Sequence, residues 1–105
     1  MLGLGVGVGL AVELGLDASV QLQEATPEVQ SRVEGCLADI NAELGASIET
    51  MKAVSYHAEN EGEAGAEWTI KCTDEATGEV YKVVLAQLEA EASVSVKAAT
   101  KLSAS

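Results

Sequence analysis

Phenylalanine is missing from this chain, and Trp68, Tyr56 and Tyr81 are its only aromatic residues. A core without Phe has to be built from Val, Leu, Ile and Ala, which favours flat, finely interleaved packing. Basic residues are also scarce, six against seventeen acidic ones, for a net charge of −11. That field opposes phosphate backbones and anionic lipid surfaces, so no nucleic-acid partner is expected. Nowhere do eighteen or more apolar residues run together, so no transmembrane helix is expected either.

The residues that carry chemistry are equally thin. The chain has one histidine, His57, and two cysteines, Cys36 and Cys72, which do not form a CxxC pair. There is no zinc-ligand cluster, phosphate-binding glycine loop or nucleophile motif, so neither an enzyme nor a cofactor is implied. His57 sits in an acidic strand-to-loop stretch, where a solvated surface histidine is the ordinary reading. Glu59, Glu61, Glu63 and Glu67 cluster, but their spacing matches no EF-hand loop, and an acidic rim is expected there.

What the sequence does have begins at its N-terminus. From position 2 to 22 every even residue is apolar: Leu2, Leu4, Val6, Val8, Leu10, Val12, Leu14, Leu16, Ala18, Val20 and Leu22. The odd positions hold Gly3, Gly5, Gly7, Gly9, Ala11, Glu13, Gly15, Asp17, Ser19 and Gln21. A period of two is the signature of β-structure. A straight strand of that length would run ~70 Å, whereas a chain of this size has a radius of gyration near ~13 Å. Such a strand would overhang its own domain. Two- and four-residue hairpin loops would shift the alternation, leaving an odd-length loop, a bend or a continuous strand. The glycine face allows another backbone or sheet to approach closely. A secretory leader is not expected, because the positive n-region is missing and Glu13 and Asp17 interrupt the run.

The length of 105 residues fits one domain. The expectation is an N-terminal β-strand extension over residues 1–23, followed by one domain over residues 24–105. In that domain Thr26 can cap a helix, with Pro27 in its first turn and Glu28 favourable to its dipole. Val29, Val33, Cys36, Leu37, Ile40 and Leu44 then make one apolar stripe up to Gly45, a plausible C-terminal cap.

Four strands are predicted to follow. The stretch 48–59 switches apolar parity between Met51 and Val54, which predicts a bulge. Residues 66–73 alternate around Trp68, Ile70 and Cys72, and Thr77-Gly78 marks a hairpin into 80–88. That strand is apolar on both faces, as a strand covered on both sides would be. In 92–102 the alternation places Val94, Val96 and Ala98 on one face. The fold class expected is α+β, one amphipathic helix on an antiparallel sheet. Cys36 and Cys72 should both face the helix-sheet interface, as free core thiols or as a disulfide. The bond is preferred; it would add ~3–4 kcal/mol and imply an oxidising, extracellular or secreted setting.

A strand, one helix and then four antiparallel strands, the first of them bulged, resembles the order of elements in the cystatin family over residues 26–88. Glu61-Gly62-Glu63-Ala64-Gly65 followed by Trp68 falls where inhibitory cystatins carry Gln-Val-Val-Ala-Gly and then an aromatic. The resemblance implies a cystatin-like fold and a loop wedge that enters papain-like proteases. Here the two apolar loop positions are Gly62 and Glu63, and Leu88-Glu89-Ala90-Glu91 lacks the family's Pro-Trp. That wedge has lost apolar contacts and gained charge.

Two readings of function result. The first is a non-enzymatic, self-assembling structural protein whose partner is a second copy, joined through the N-terminal segment by β-augmentation or strand exchange. Net charge would brake aggregation, so low pH, salt or divalent cations should favour assembly. The alternative is a divergent cystatin-like inhibitor, with a cysteine protease as partner. A membrane barrel is disfavoured, because no Tyr or Trp flanks the segment to supply interfacial girdles.

Overall fold

The computed structural model describes residues 11–61, 64–87 and 94–103. It is a small α+β domain in which two helices pack on one face of a five-stranded antiparallel sheet. The strands are β1 (Gln23–Glu24), β2 (Met51–Glu59), β3 (Ala66–Asp74), β4 (Val80–Gln87) and β5 (Ser95–Ser103), and they lie side by side in chain order. The helices α1 (Pro27–Gly35) and α2 (Leu37–Leu44) connect β1 to β2.

Thr26 caps α1 as expected: its backbone is extended and its Oγ1 accepts from the Val29 N–H at 3.1 Å. The expected single helix is broken at Cys36, whose φ of −103° and ψ of 7° leave the helical region. Gly35, the weakest helix former after the first-turn Pro27, precedes the break. The Cys36 N–H is shared between the carbonyls of Arg32 and Val33, at 3.1 and 3.2 Å. The break still keeps Val29, Val33, Cys36 and Ile40 buried, with Leu37 and Leu44 half-buried beside them. Gly45 ends α2 in the left-handed conformation, φ 66°.

The parity switch in β2 is a bulge. Ala53 pairs with Cys72 and Ser55 with Lys71, so Val54 has no opposite number. Along β3 and β4, Ala66, Trp68, Ile70, Cys72, Tyr81, Val83 and Leu85 face the helices and are buried. The Gly78 turn is present, with φ 78° and its N–H donating to the Asp74 carbonyl at 2.7 Å.

In β5 the register slips twice, leaving Lys97 and Leu102 unmatched against β4. The first slip corrects the expected face: Val94, Val96 and Ala99 pack on the core, while Ala98 is exposed.

The larger correction concerns the N-terminus. Leu2, Leu4, Val6, Val8 and Leu10, with Gly3, Gly5, Gly7 and Gly9, lie outside the described residues. Val12, Leu14 and Leu16, however, belong to no strand. Ala11–Leu14 is a 3₁₀ turn closed by Gly15 at φ 76°, and among the described residues the first strand is Gln23–Glu24. Ala11 and Leu14 are three residues apart, so in a 3₁₀ turn they share a side, and both are buried.

The turn packs against β3 on the face opposite the helices. Glu13 Oε1 lies 3.7 Å from Lys71 Nζ, and Lys71 alternates with the inward Ile70 and Cys72. On that outer face Ser55, Thr69 and Val84 are also buried. The two-sided cover expected of β4 is therefore real, with Val83 and Leu85 under the helices and Val84 on the outer face.

Candidate functional site

The sheet has two edges of unequal character. Beyond β2, β1 pairs with Tyr56 and Ser55, and the Ala25 N–H donates to the Val54 carbonyl at 3.0 Å. Past the end of β1, the side chain of Gln30 on α1 continues the ladder. Its Nε2 donates to the Met51 carbonyl at 3.0 Å, and its Oε1 accepts from the Ala53 N–H at 2.7 Å. A side-chain amide thus occupies the place of a neighbouring strand's peptide, just before the bulge. The bulged Val54 stands between the part of β2 that pairs with β1 and the part that Gln30 closes.

Gln30→Ala would leave that N–H and carbonyl without protein partners, at an expected cost of about 1–2 kcal/mol in urea unfolding. An unchanged midpoint would show that the two bonds contribute nothing net.

The other edge is β5, nine residues long and paired with β4 on one side alone among the described residues. Lysines on an edge strand commonly guard it against a further strand. Here both are drawn back across the sheet: Lys97 Nζ meets Glu67 Oε2 on β3 at 2.8 Å, and Lys101 pairs with Glu79. Their hydrogen bond holds the Glu79 carboxyl below its ordinary range and pushes the Lys101 ammonium up.

The outer face carries the third feature. Lys71 and Lys82 stand directly opposite one another in the β3–β4 register, a like-charge pair that weakens a bare sheet. Glu13 reaches Lys71, and the backbone at Gly15 passes close to Lys82 Nζ. Glu13, Lys71, Val80 and Leu102 line a cleft of about 270 Å³ beside this contact. Val12, between the buried Ala11 and Leu14, is 58% exposed and is the large hydrophobic most open to solvent among the described residues.

The loop quoted for the cystatin resemblance joins β2 to β3. Gly62 and Glu63 lie outside the described residues, as do Leu88-Glu89-Ala90-Glu91. Of the rest, Ala64 lies in the turn and Gly65 adopts φ 81°. Glu61 turns back to accept from Trp68 Nε1 at 3.5 Å. Trp68 itself is a core residue, 1% exposed, with the Arg32 guanidinium 4.5 Å above its ring.

Cys36 and Cys72 both reach the helix-sheet interface but are free thiols, so the preferred disulfide is corrected. Cys36 Sγ lies 3.7 Å from the Val94 carbonyl at the start of β5, level with Ala66 on β3. Cys72 is six residues farther along β3, roughly 20 Å away at strand spacing and far beyond the ~7 Å reach of a disulfide. The argument for an extracellular setting loses that support. Burial pushes the Cys72 thiol up to about 12 and raises that of Cys36, with the charge of Asp39 adding to the latter. Both should therefore react slowly with a thiol reagent in the native protein and fully after unfolding, with one mass before and after reduction. Fast reaction of the folded chain would contradict their burial.

His57 stands opposite Thr69 on β2, its Nε2 3.5 Å from Glu59 Oε2. Among the described residues no group of three His, Cys, Asp or Glu side chains is placed to hold a metal ion. Sequence reasoning missed the Gln30 edge clamp and the Ala11–Leu14 contact. The second had a signal, an i,i+3 apolar pair followed by Gly15 and Asp17; the first had none. No family model matches the chain, and no curated protein matches it.

Proposed function

We propose that this chain is a non-enzymatic structural protein that joins copies of itself by β-augmentation, residues 2–10 of one copy adding as a strand to β5 of the next. The inequality of the two sheet edges carries this reading: one is closed by β1 and Gln30, while the β5 lysines are tied back by Glu67 and Glu79. The sequence of residues 2–10 supplies the complementary element, with Leu or Val at each even position and Gly at each odd one from 3 to 9. The two stretches are of similar length. Glu13 and Leu102, near the end of β5, line one cleft.

Net charge sets the conditions. At −11, copies repel until salt screens them or low pH protonates their carboxylates. Light scattering should show a mass above the 10.8 kDa monomer that rises with concentration and salt, and Val6→Lys or Val8→Lys should abolish it. A monomer under all conditions would sink the proposal.

One observation favours a second reading, a divergent cystatin-like inhibitor. It is supported by an element order of a short strand, a helical stretch broken at Cys36 and four antiparallel strands of which the first is bulged. Inhibition of a papain-like protease at micromolar concentration would support it, and its absence would remove it.

A further inference from the structure

We infer that Ala11–Leu14 is an exchangeable plug: in the assembled protein its receptor on the outer face of β3 and β4 takes the same segment from a second copy. The inference rests on the self-assembly reading and adds a second contact to it. The receptor is built for an acidic, apolar segment. Lys71 and Lys82 oppose each other in register and need a carboxylate between them, and Glu13 supplies one to Lys71 at 3.7 Å. Leu14 is fully buried there.

The connection behind the plug is suited to reaching elsewhere. Gly15 is in the left-handed conformation, and the bonds that order the next residues are local. Leu16 N donates to the Ala11 carbonyl at 3.1 Å, Val20 N to the Asp17 carbonyl at 2.9 Å, and Ser19 N to Asp17 Oδ1 at 2.9 Å. A segment held by a few side chains and followed by a locally ordered connector can make the same contacts between copies as within one, which is the basis of domain swapping. Charge points to a second copy as the occupant. In a chain of net charge −11, repulsion falls where an acidic segment meets a lysine pair, and each copy carries both halves.

The test mixes two forms of the full chain. One carries a nitroxide on Val12→Cys, attached under native conditions where Cys36 and Cys72 are buried, with single labelling checked by mass. The other is ¹⁵N-labelled and otherwise unchanged. After joint unfolding and refolding, the amide signals of Lys71 and Lys82 on the ¹⁵N chain should be lost in the oligomer, while that of Glu43 on α2 persists. An oligomer that keeps the Lys71 and Lys82 signals overturns the plug and leaves self-assembly standing. A mixture that scatters as monomer throughout overturns both.

Discussion

Trp68→Ala is expected to lower the stability of the folded chain by about 3–5 kcal/mol, a large share of the total for a domain of this size. The ring is buried in the helix-sheet interface, where a truncation to Ala leaves a cavity that packed neighbours such as Ile70, Val83 and Leu85 cannot close. The chain has no Phe, and the other two rings of the core, Tyr56 and Tyr81, are held by their hydroxyls to Gln23 and Glu79. The Arg32 contact over the ring is lost as well, worth ~0.5–1 kcal/mol where the cation is still partly solvated. Urea unfolding followed by circular dichroism measures the effect, and a loss below ~1 kcal/mol would mean that the core does not depend on this side chain. The native protein offers a control: its single tryptophan should emit at short wavelength when folded and shift to the red on unfolding.

Where one physical signal dominated, the sequence was legible. The α1–α2 stripe could be read because Val29, Val33, Cys36 and Ile40 must share a side for any helix to bury them. The bulge at Val54 could be read because a period of two cannot change parity without one extra residue. The double cover of β4 followed from apolar residues at consecutive positions, Val83, Val84 and Leu85, all buried.

The failures are equally physical. Gly35 and Cys36 interrupt the helix without disturbing its stripe, so periodicity alone could not reveal the break. In β5 a bulge at Lys97 exchanged Ala98 for Ala99, and two alanines carry no hydropathy difference that could have announced it. Alternation through residues 11–22 misleads. A two-residue period sustained by Ala11, Glu13 and Asp17 is weak, and the same letters contain the three-residue spacing of a 3₁₀ turn. Two inward-facing thiols suggest a disulfide, but a shared face carries no information on position along the sheet. The edge clamp at Gln30 could not be read at all, because it depends on a contact between α1 and β2 across more than twenty residues of chain.

Leu14→Asp should separate the outer layer from the core beneath it. Leu14 is fully buried, and leaving an aspartate in that place would cost more than the segment's own contacts return. The segment is therefore expected to lift off the sheet, which limits the loss to about 2–3 kcal/mol, the scale of one buried leucine and its small neighbour Ala11. The helix-sheet core should persist, since Val33, Ile40, Ile70 and Leu85 are buried on the other side of the sheet. Circular dichroism should then keep its helical signal while the urea midpoint falls, and the amide shifts of Lys71 and Lys82 should move more than those of α2. Deletion of residues 1–22 should give the same folded, less stable and monomeric domain. Global unfolding of either variant in buffer would make the outer segment part of one indivisible core, and a segment on which the fold depends could not exchange between copies without unfolding the chain.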